Sequence, residues 1–179
     1  MSTRSNVKLV GKIRGKEKVR WLYHHWDGYP SNMGPTIEHY MAYMQRLGIR
    51  GLDPTASQFI WLSGGEDDMY PEETDETTRK GFEHTTDMHG DIEWLYTVTL
   101  DGRSYTIQCQ RVRGYNVVEE PEPWCRAAAR EYLHGRIPYL KKKCHEAILD
   151  GNLDRAAEIS EGIELDKEQA AIWLDRAGA

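Results

Sequence analysis

The stretch "YHHWDGYPSNMG", residues 23–34, puts two phenols, two imidazoles, an indole and a carboxylate into its first seven positions. Groups of this kind move protons, ligate metals or grip planar ligands. His25 with Asp27 has the makings of a general base and the carboxylate that orients it. On a regular strand His24 and His25 point to opposite faces, so only one of them can share a site with Asp27. A second group, "HTTDMHGD", residues 84–91, offers His84, Asp87, His89 and Asp91 just ahead of a further strand pair. His25, Asp27, His89 and Asp91 are therefore the candidate set for a metal or for acid–base hydrolysis, although no zinc or iron spacing is present. Ser5, Ser31 and Thr3 do not sit in a nucleophile elbow, and neither GxGxxG nor GxxxxGK occurs. No motif commits the chain to catalysis or names a cofactor.

The same residues fit ligand binding. Trp21, Tyr23, Trp26 and Tyr29 offer flat faces, and Arg4, Arg20 and the neighbouring lysines offer positive charge. Aromatic platforms beside cations suit a nucleotide-like or other planar anionic small molecule. The plainer alternative is structural: Trp26 and Tyr29 pack on the helix that follows, Asp27 caps the turn and Tyr29-Pro30 stiffens it.

Several elements must position these groups. "NVKLVGKI", a turn at Gly15 and "KVRWLYHHWD" read as a β-hairpin. Alternation puts Val19, Trp21, Tyr23 and His25 on one face and Arg20, Leu22, His24 and Trp26 on the other. "GPTIEHYMAYMQRLG" reads as a helix from Pro35 to Leu47, with Gly48 closing it and an apolar stripe of Ile37, Tyr40, Met41, Met44 and Leu47. "DPTASQFIWL" reads as a shorter helix with Asp53 as its N-cap. Residues 63–90 carry no clear period and read as a long loop with an acidic run from Glu66 to Glu76. "DIEWLYTVTL" and "RSYTIQCQRV" make a second hairpin around Asp101-Gly102, a pair suited to a type I′ turn. Prolines 121 and 123 mark a linker. Beyond it four helical segments end near glycines, with Ile137, Leu140, Cys144 and Ile148 as one stripe and Asp166 with Gln169 as a capping box.

The chain has 179 residues, a net charge of −6 and three cysteines, Cys109, Cys125 and Cys144. The acidic balance gives the molecule no general attraction to nucleic acid or an anionic membrane. An odd cysteine count without CxxC indicates neither a disulfide framework nor a cysteine-based zinc site. No stretch is apolar enough to be a leader or to span a bilayer, so a cytoplasmic protein is expected. The first twenty residues are locally basic, with Glu17 their only acid.

"STRSNV" at residues 2–7, "YHHWDGYP" and the later "HGDIEWLYTV" together resemble a family of small uncharacterised proteins met in phages and other prokaryotic genomes. The resemblance spans about residues 2–112 and leaves the helical tail as an addition. It implies no activity. It does imply that Arg4, Ser5, His25, Trp26, Asp27 and Tyr29 belong to one site or one structural knot, and an accessory role such as interference with host defence.

The expected fold is α+β: an antiparallel sheet from two hairpins with a covering helix over residues 1–118, a linker at 119–123, and a helical extension over 124–179. Three functions remain open. The first is binding of a small anionic ligand through Arg4, Ser5, Tyr23, His25, Trp26, Asp27 and Tyr29. The second is a hydrolase built on His25, Asp27, His89 and Asp91. The third is capture of a protein partner by the helical tail.

Overall fold

The computed structural model describes residues 3–64 and 81–178. The acidic run from Glu66 to Glu76 lies outside the described residues. The fold is α+β, and the chain divides into two compact units, Met1–Glu122 and Pro123–Ala179.

In the first unit β1 (Ser5–Ile13) and β2 (Lys16–His24) form the expected hairpin, closing at Ile13↔Lys16. Arg14 and Gly15 both take left-handed backbone, with φ of 52° and 77°. Two positive φ values in a two-residue turn are the type I′ pattern that matches strand twist. The next element is helix α1 (Pro30–Arg46), which starts five residues before the expected Pro35. Pro30 takes the first-turn position, where its missing N–H costs nothing, and the Tyr29 carbonyl already accepts from the N–H groups of Asn32 and Met33 at 3.1 and 2.9 Å. Pro35 is thus an interior proline. Gly48 does end the helix: its φ is 70°, and Ile49 N–H reaches back to the Met44 carbonyl at 2.9 Å. Ile37, Met41 and Met44 are buried as the stripe requires, but Leu47 is exposed.

Helix α2 (Leu52–Gly64) begins one residue earlier than its expected cap. Asp53 lies in its first turn, and its carboxylate is held by Arg20 at 2.6 Å. Within the stretch read as loop, the structure has a short strand, β3 (Phe82–Thr85). Four residues with a single buried apolar side chain, Phe82, leave no period to detect. The second hairpin pairs β4 (Trp94–Asp101) with β5 (Ser104–Arg113). Its turn residues are Gly102 and Arg103, of which only Gly102 has positive φ, so it follows the II′ pattern with glycine first rather than I′ at Asp101-Gly102. Strands β6 (Asn116–Val117) and β7 (Glu122–Pro123) are two residues each.

The sheet order is β3-β2-β1-β4-β5-β6. Every pairing in that order is antiparallel except β1 with β4, which run parallel from Ser5↔Trp94 to Val10↔Thr99. The two hairpins are thereby fused so that β1 and β4 start at the same end of the sheet. One face is covered by helices and holds the main core: Val7, Leu9, Leu22, Tyr96 and Val98 of the strands are buried with Phe59 of α2 and Ile37 of α1. Phe82 of β3 meets Phe59 ring edge to ring face at 5.4 Å. The other face carries a smaller cluster of Tyr23, Ile92, Leu95 and Val112, with Trp21 and Met88 packed against it.

The second unit differs from the four segments expected. Helix α3 (Trp124–Glu131) runs through a π-helical turn (Tyr132–Arg136) straight into α4 (Ile137–Leu149). The widened turn precedes Pro138 and is closed by Ile137 N–H on the Tyr132 carbonyl. A proline N–H is missing there, and the extra residue per turn accommodates it. Helix α5 (Leu153–Gly178) is then continuous for 26 residues, through Gly162. Asp166 lies in its middle, only 7 % exposed, and its carboxylate takes the Arg136 Nε–H at 2.7 Å. It is an ion-pair partner, not a helix cap. In the other stripe Ile137 is buried while Ile148 is exposed. Trp173 packs edge-on against Trp124 and Tyr132, with ring centroids 6.2 and 5.0 Å away. Among the described residues no helix is long and apolar enough to cross a membrane.

Candidate functional site

The parallel β1–β4 pairing creates the site. Arg4 immediately precedes β1, and Asp91 lies three residues before β4. Because both strands start at one end of the sheet, Arg4 and Asp91 meet there, and β2, antiparallel to β1, ends beside them at His24. The Arg4 carbonyl accepts the Glu93 N–H at 2.9 Å, which fixes the incoming chain against β1. Arg4 Nη1 then donates to Asp91 Oδ2 at 2.6 Å.

Tyr23 stands between these groups on the face away from the helices. Its hydroxyl donates to Asp91 Oδ2 at 3.3 Å and lies 3.2 Å from His25 Nδ1. His89 stacks on the Tyr23 ring, centroids 4.2 Å apart and planes within 20°, and its Nδ1 is 3.9 Å from Asp91 Oδ1. Tyr23 as a whole is 6 % exposed, whereas Arg4, His25, His89 and Asp91 are partly open to solvent. Burial, and after it the negative charge of Asp91, pushes the Tyr23 phenol up to about 12. At neutral pH Tyr23 is therefore a firm proton holder between a carboxylate and an imidazole.

The segment that carries His89 and Asp91 is held down by Asn6, a residue that sequence reasoning did not single out. Asn6 is fully buried; its Oδ1 accepts the His89 N–H at 2.8 Å and its Nδ2 donates to the Leu22 carbonyl at 2.8 Å. Its place inside "TRSN" was the available signal, since a buried amide in the middle of a strand needs partners on both sides. Tyr96 was missed as well: its hydroxyl donates to the Gly28 carbonyl at 2.8 Å and fastens the aromatic turn from beneath.

The other expected residues play different parts. Ser5 is fully buried, and the Gly28 backbone lies so close that a Cβ there would stand 2.7 Å from Ser5 Cβ. Asp27 is exposed, has left-handed backbone with φ 49°, and accepts the Asn32 side-chain N–H on its carbonyl at 3.1 Å. It shapes the turn. Tyr29 caps α1 through its backbone. Trp26 borders the cluster through its edge contact with His25, centroids 4.9 Å apart. His24 is on the helix side, against Phe82 at 4.8 Å, as strand alternation requires. Of the four residues proposed for a metal or for hydrolysis, His25, His89 and Asp91 come together around Tyr23, while Asp27 faces solvent at the turn. Among the described residues no three His, Cys, Asp or Glu side chains are placed to hold a metal ion.

An open groove of about 590 Å³ begins at His89 and runs along the sheet edge past Trp21, Arg20, His84, Thr85 and Asp87. Lys8 lies over the Trp21 ring with its Nζ 5.6 Å from the centroid. Arg20 is already committed to Asp53. Arg20 is the cation in the groove's own lining, Lys8 stands over its Trp21, and Arg4 belongs to the adjoining Tyr23 cluster through Asp91.

Compared with known proteins, the chain matches no family model, no curated protein and no solved structure.

Proposed function

We propose that this protein binds a small molecule with a planar body and an anionic group. The anion meets Arg4 and His25 where β1 begins and β2 ends, and the ring lies in the groove along His89 and Trp21. The observation that carries this reading is the convergence of Arg4, Tyr23, His25, His89 and Asp91 from three separate segments, with His89 also lining the groove. Asp91 holds Arg4 in place until an anion competes for it, as a carboxylate commonly does for a ligand-binding guanidinium. A phage-type accessory role, host-defence interference included, rests on the motif resemblance alone.

Native and denaturing mass spectrometry on freshly purified protein test the reading. An excess mass of a few hundred daltons in the native spectrum is expected, and it should be lost in His25→Ala and Arg4→Gln variants that keep the wild-type circular dichroism. With the ligand in hand, Arg4→Gln should weaken binding about 10- to 100-fold, the worth of one charge-assisted hydrogen bond. A folded His25→Ala variant that keeps the full excess mass would sink the proposal.

A second reading has its own support. With the Tyr23 proton on Asp91, the Tyr23 oxygen accepts from His25 in the tautomer protonated at Nδ1, and the lone pair of that ring falls on Nε2. That is the arrangement of an oriented general base. Hydrolysis of the captured ligand during incubation, abolished by His25→Ala but insensitive to chelator, would favour it over simple binding.

A further inference from the structure

On the helix-covered side of the sheet, at the end opposite the Tyr23 cluster, a second pocket of about 300 Å³ opens between α1, α2 and the β4–β5 turn. Its apolar lining is Met41, Met44, Ile49 and Leu100. Its polar lining includes Arg50, Arg103, Gln45 and Ser104, and no aspartate or glutamate contributes to it. The walls are tied together, since Gln45 Nε2 donates to the Arg103 carbonyl at 2.7 Å across 58 positions of chain. Gly51, with φ 92°, turns the chain sharply between Arg50 and the start of α2. Both arginines are exposed, and neither has a carboxylate within ion-pair distance among the described residues.

We propose that this pocket binds a small phosphate monoester with a flat or apolar body, the body resting on Met41, Met44 and Leu100 and the phosphate held by Arg50 and Arg103. The volume sits at the lower end of small-molecule sites, about 300–1,000 Å³, and so limits the body to roughly one ring system. Two guanidiniums with no acid in the lining match a dianion better than the single charge of a carboxylate. A bare phosphate would leave the apolar floor unused. The site is separate from the Tyr23 cluster and stands or falls independently of it.

The test is calorimetric titration of the Arg4→Gln protein, in which the Tyr23 cluster has lost its anion partner, with phenyl phosphate, inorganic phosphate and benzoate. Phenyl phosphate should bind one-to-one, at least about tenfold more tightly than either control. Arg50→Gln and Arg103→Gln, each added to that background, should weaken it about tenfold. Both arginines are exposed, so circular dichroism of the variants should match wild type. Failure of phenyl phosphate to bind at 10 mM, on the order of the weakest useful affinity, would overturn the proposal. So would equal binding of benzoate or inorganic phosphate, or full affinity when Arg50→Gln and Arg103→Gln are both added to the Arg4→Gln background.

Discussion

Tyr23 concentrates the chemistry of the Arg4 cluster in one hydroxyl. Its phenol is raised to about 12 in the folded chain from 10.0 in the unfolded one, so the folded state holds that proton more tightly. The resulting stabilisation is fully present below pH 10 and is lost as pH climbs from 10 towards 12. Tyr23→Phe should cost about 1 kcal/mol at neutral pH, because Asp91 loses a donor but keeps Arg4. The gap between wild type and Tyr23→Phe, followed by urea midpoints against pH, should close in the alkaline range. A gap that stays constant there would show that the phenol is not the group responsible. Arg4, His25, His89 and Asp91 were all legible in the sequence as chemistry-bearing residues. Tyr23 was legible too, as a ligand-binding candidate on the strand face of His25; what the sequence did not disclose was that Asp27 stands apart from them. Asp27 follows β2 by three residues, and a single left-handed residue turns its side chain away from any alternation argument.

At the scale of elements, the aromatic turn is seated by close packing. Gly28→Ala would place a Cβ 2.7 Å from Ser5 Cβ and 2.9 Å from the Arg4 carbonyl carbon, against backbone that cannot yield. It should destabilise the protein by about 1–3 kcal/mol in denaturant unfolding. Gly90→Ala makes an equally short contact, 2.6 Å, but with the ring of the exposed Tyr115, which can swing aside. Its cost should stay within about 0.5 kcal/mol. If both variants were equally damaged, the distinction between backbone and mobile side chain would be wrong. The helices offer a similar contrast. Arg136→Met strands the buried Asp166 carboxylate and should lower the thermal midpoint of helical circular dichroism, by about 1–3 kcal/mol of stability. Asp166→Leu removes the charge with its need for a partner and should do less harm. Helix existence was legible from apolar spacing, and the hairpins from turn residues between alternating runs. Helix limits were not. Pro30, Pro35, Gly135 and Gly162 all carry terminus signals, and which of them ends a helix is decided by partners far away in sequence, as Arg136 and Asp166 illustrate.

For the whole molecule, two cores follow from one chain. The first unit buries Val7, Leu9, Leu22, Phe59, Tyr96 and Val98, all from within Met1–Glu122. A chain truncated after Glu122 should therefore keep a cooperative unfolding transition and the Tyr23 phenol signature; loss of both would mean that the helical unit completes the first core. The α+β class was readable because runs of strand and helix do not alternate in βαβ order. The parallel contact between the hairpins was not, since each hairpin is locally self-consistent and nothing in its own pattern states which edge the other will meet.

That contact also sets a timetable. Ser5 cannot meet Trp94 until some ninety further residues have been made. On a ribosome the first hairpin emerges with the inner edge of β1 bare, and a bare edge invites pairing with other chains. Arg4 meets Asp91 where β1 and β4 begin side by side, so the cluster needs that edge to be closed. The Arg4–Asp91 pair is thus a reporter of the sheet: a chain that carries it has brought its two hairpins together edge to edge.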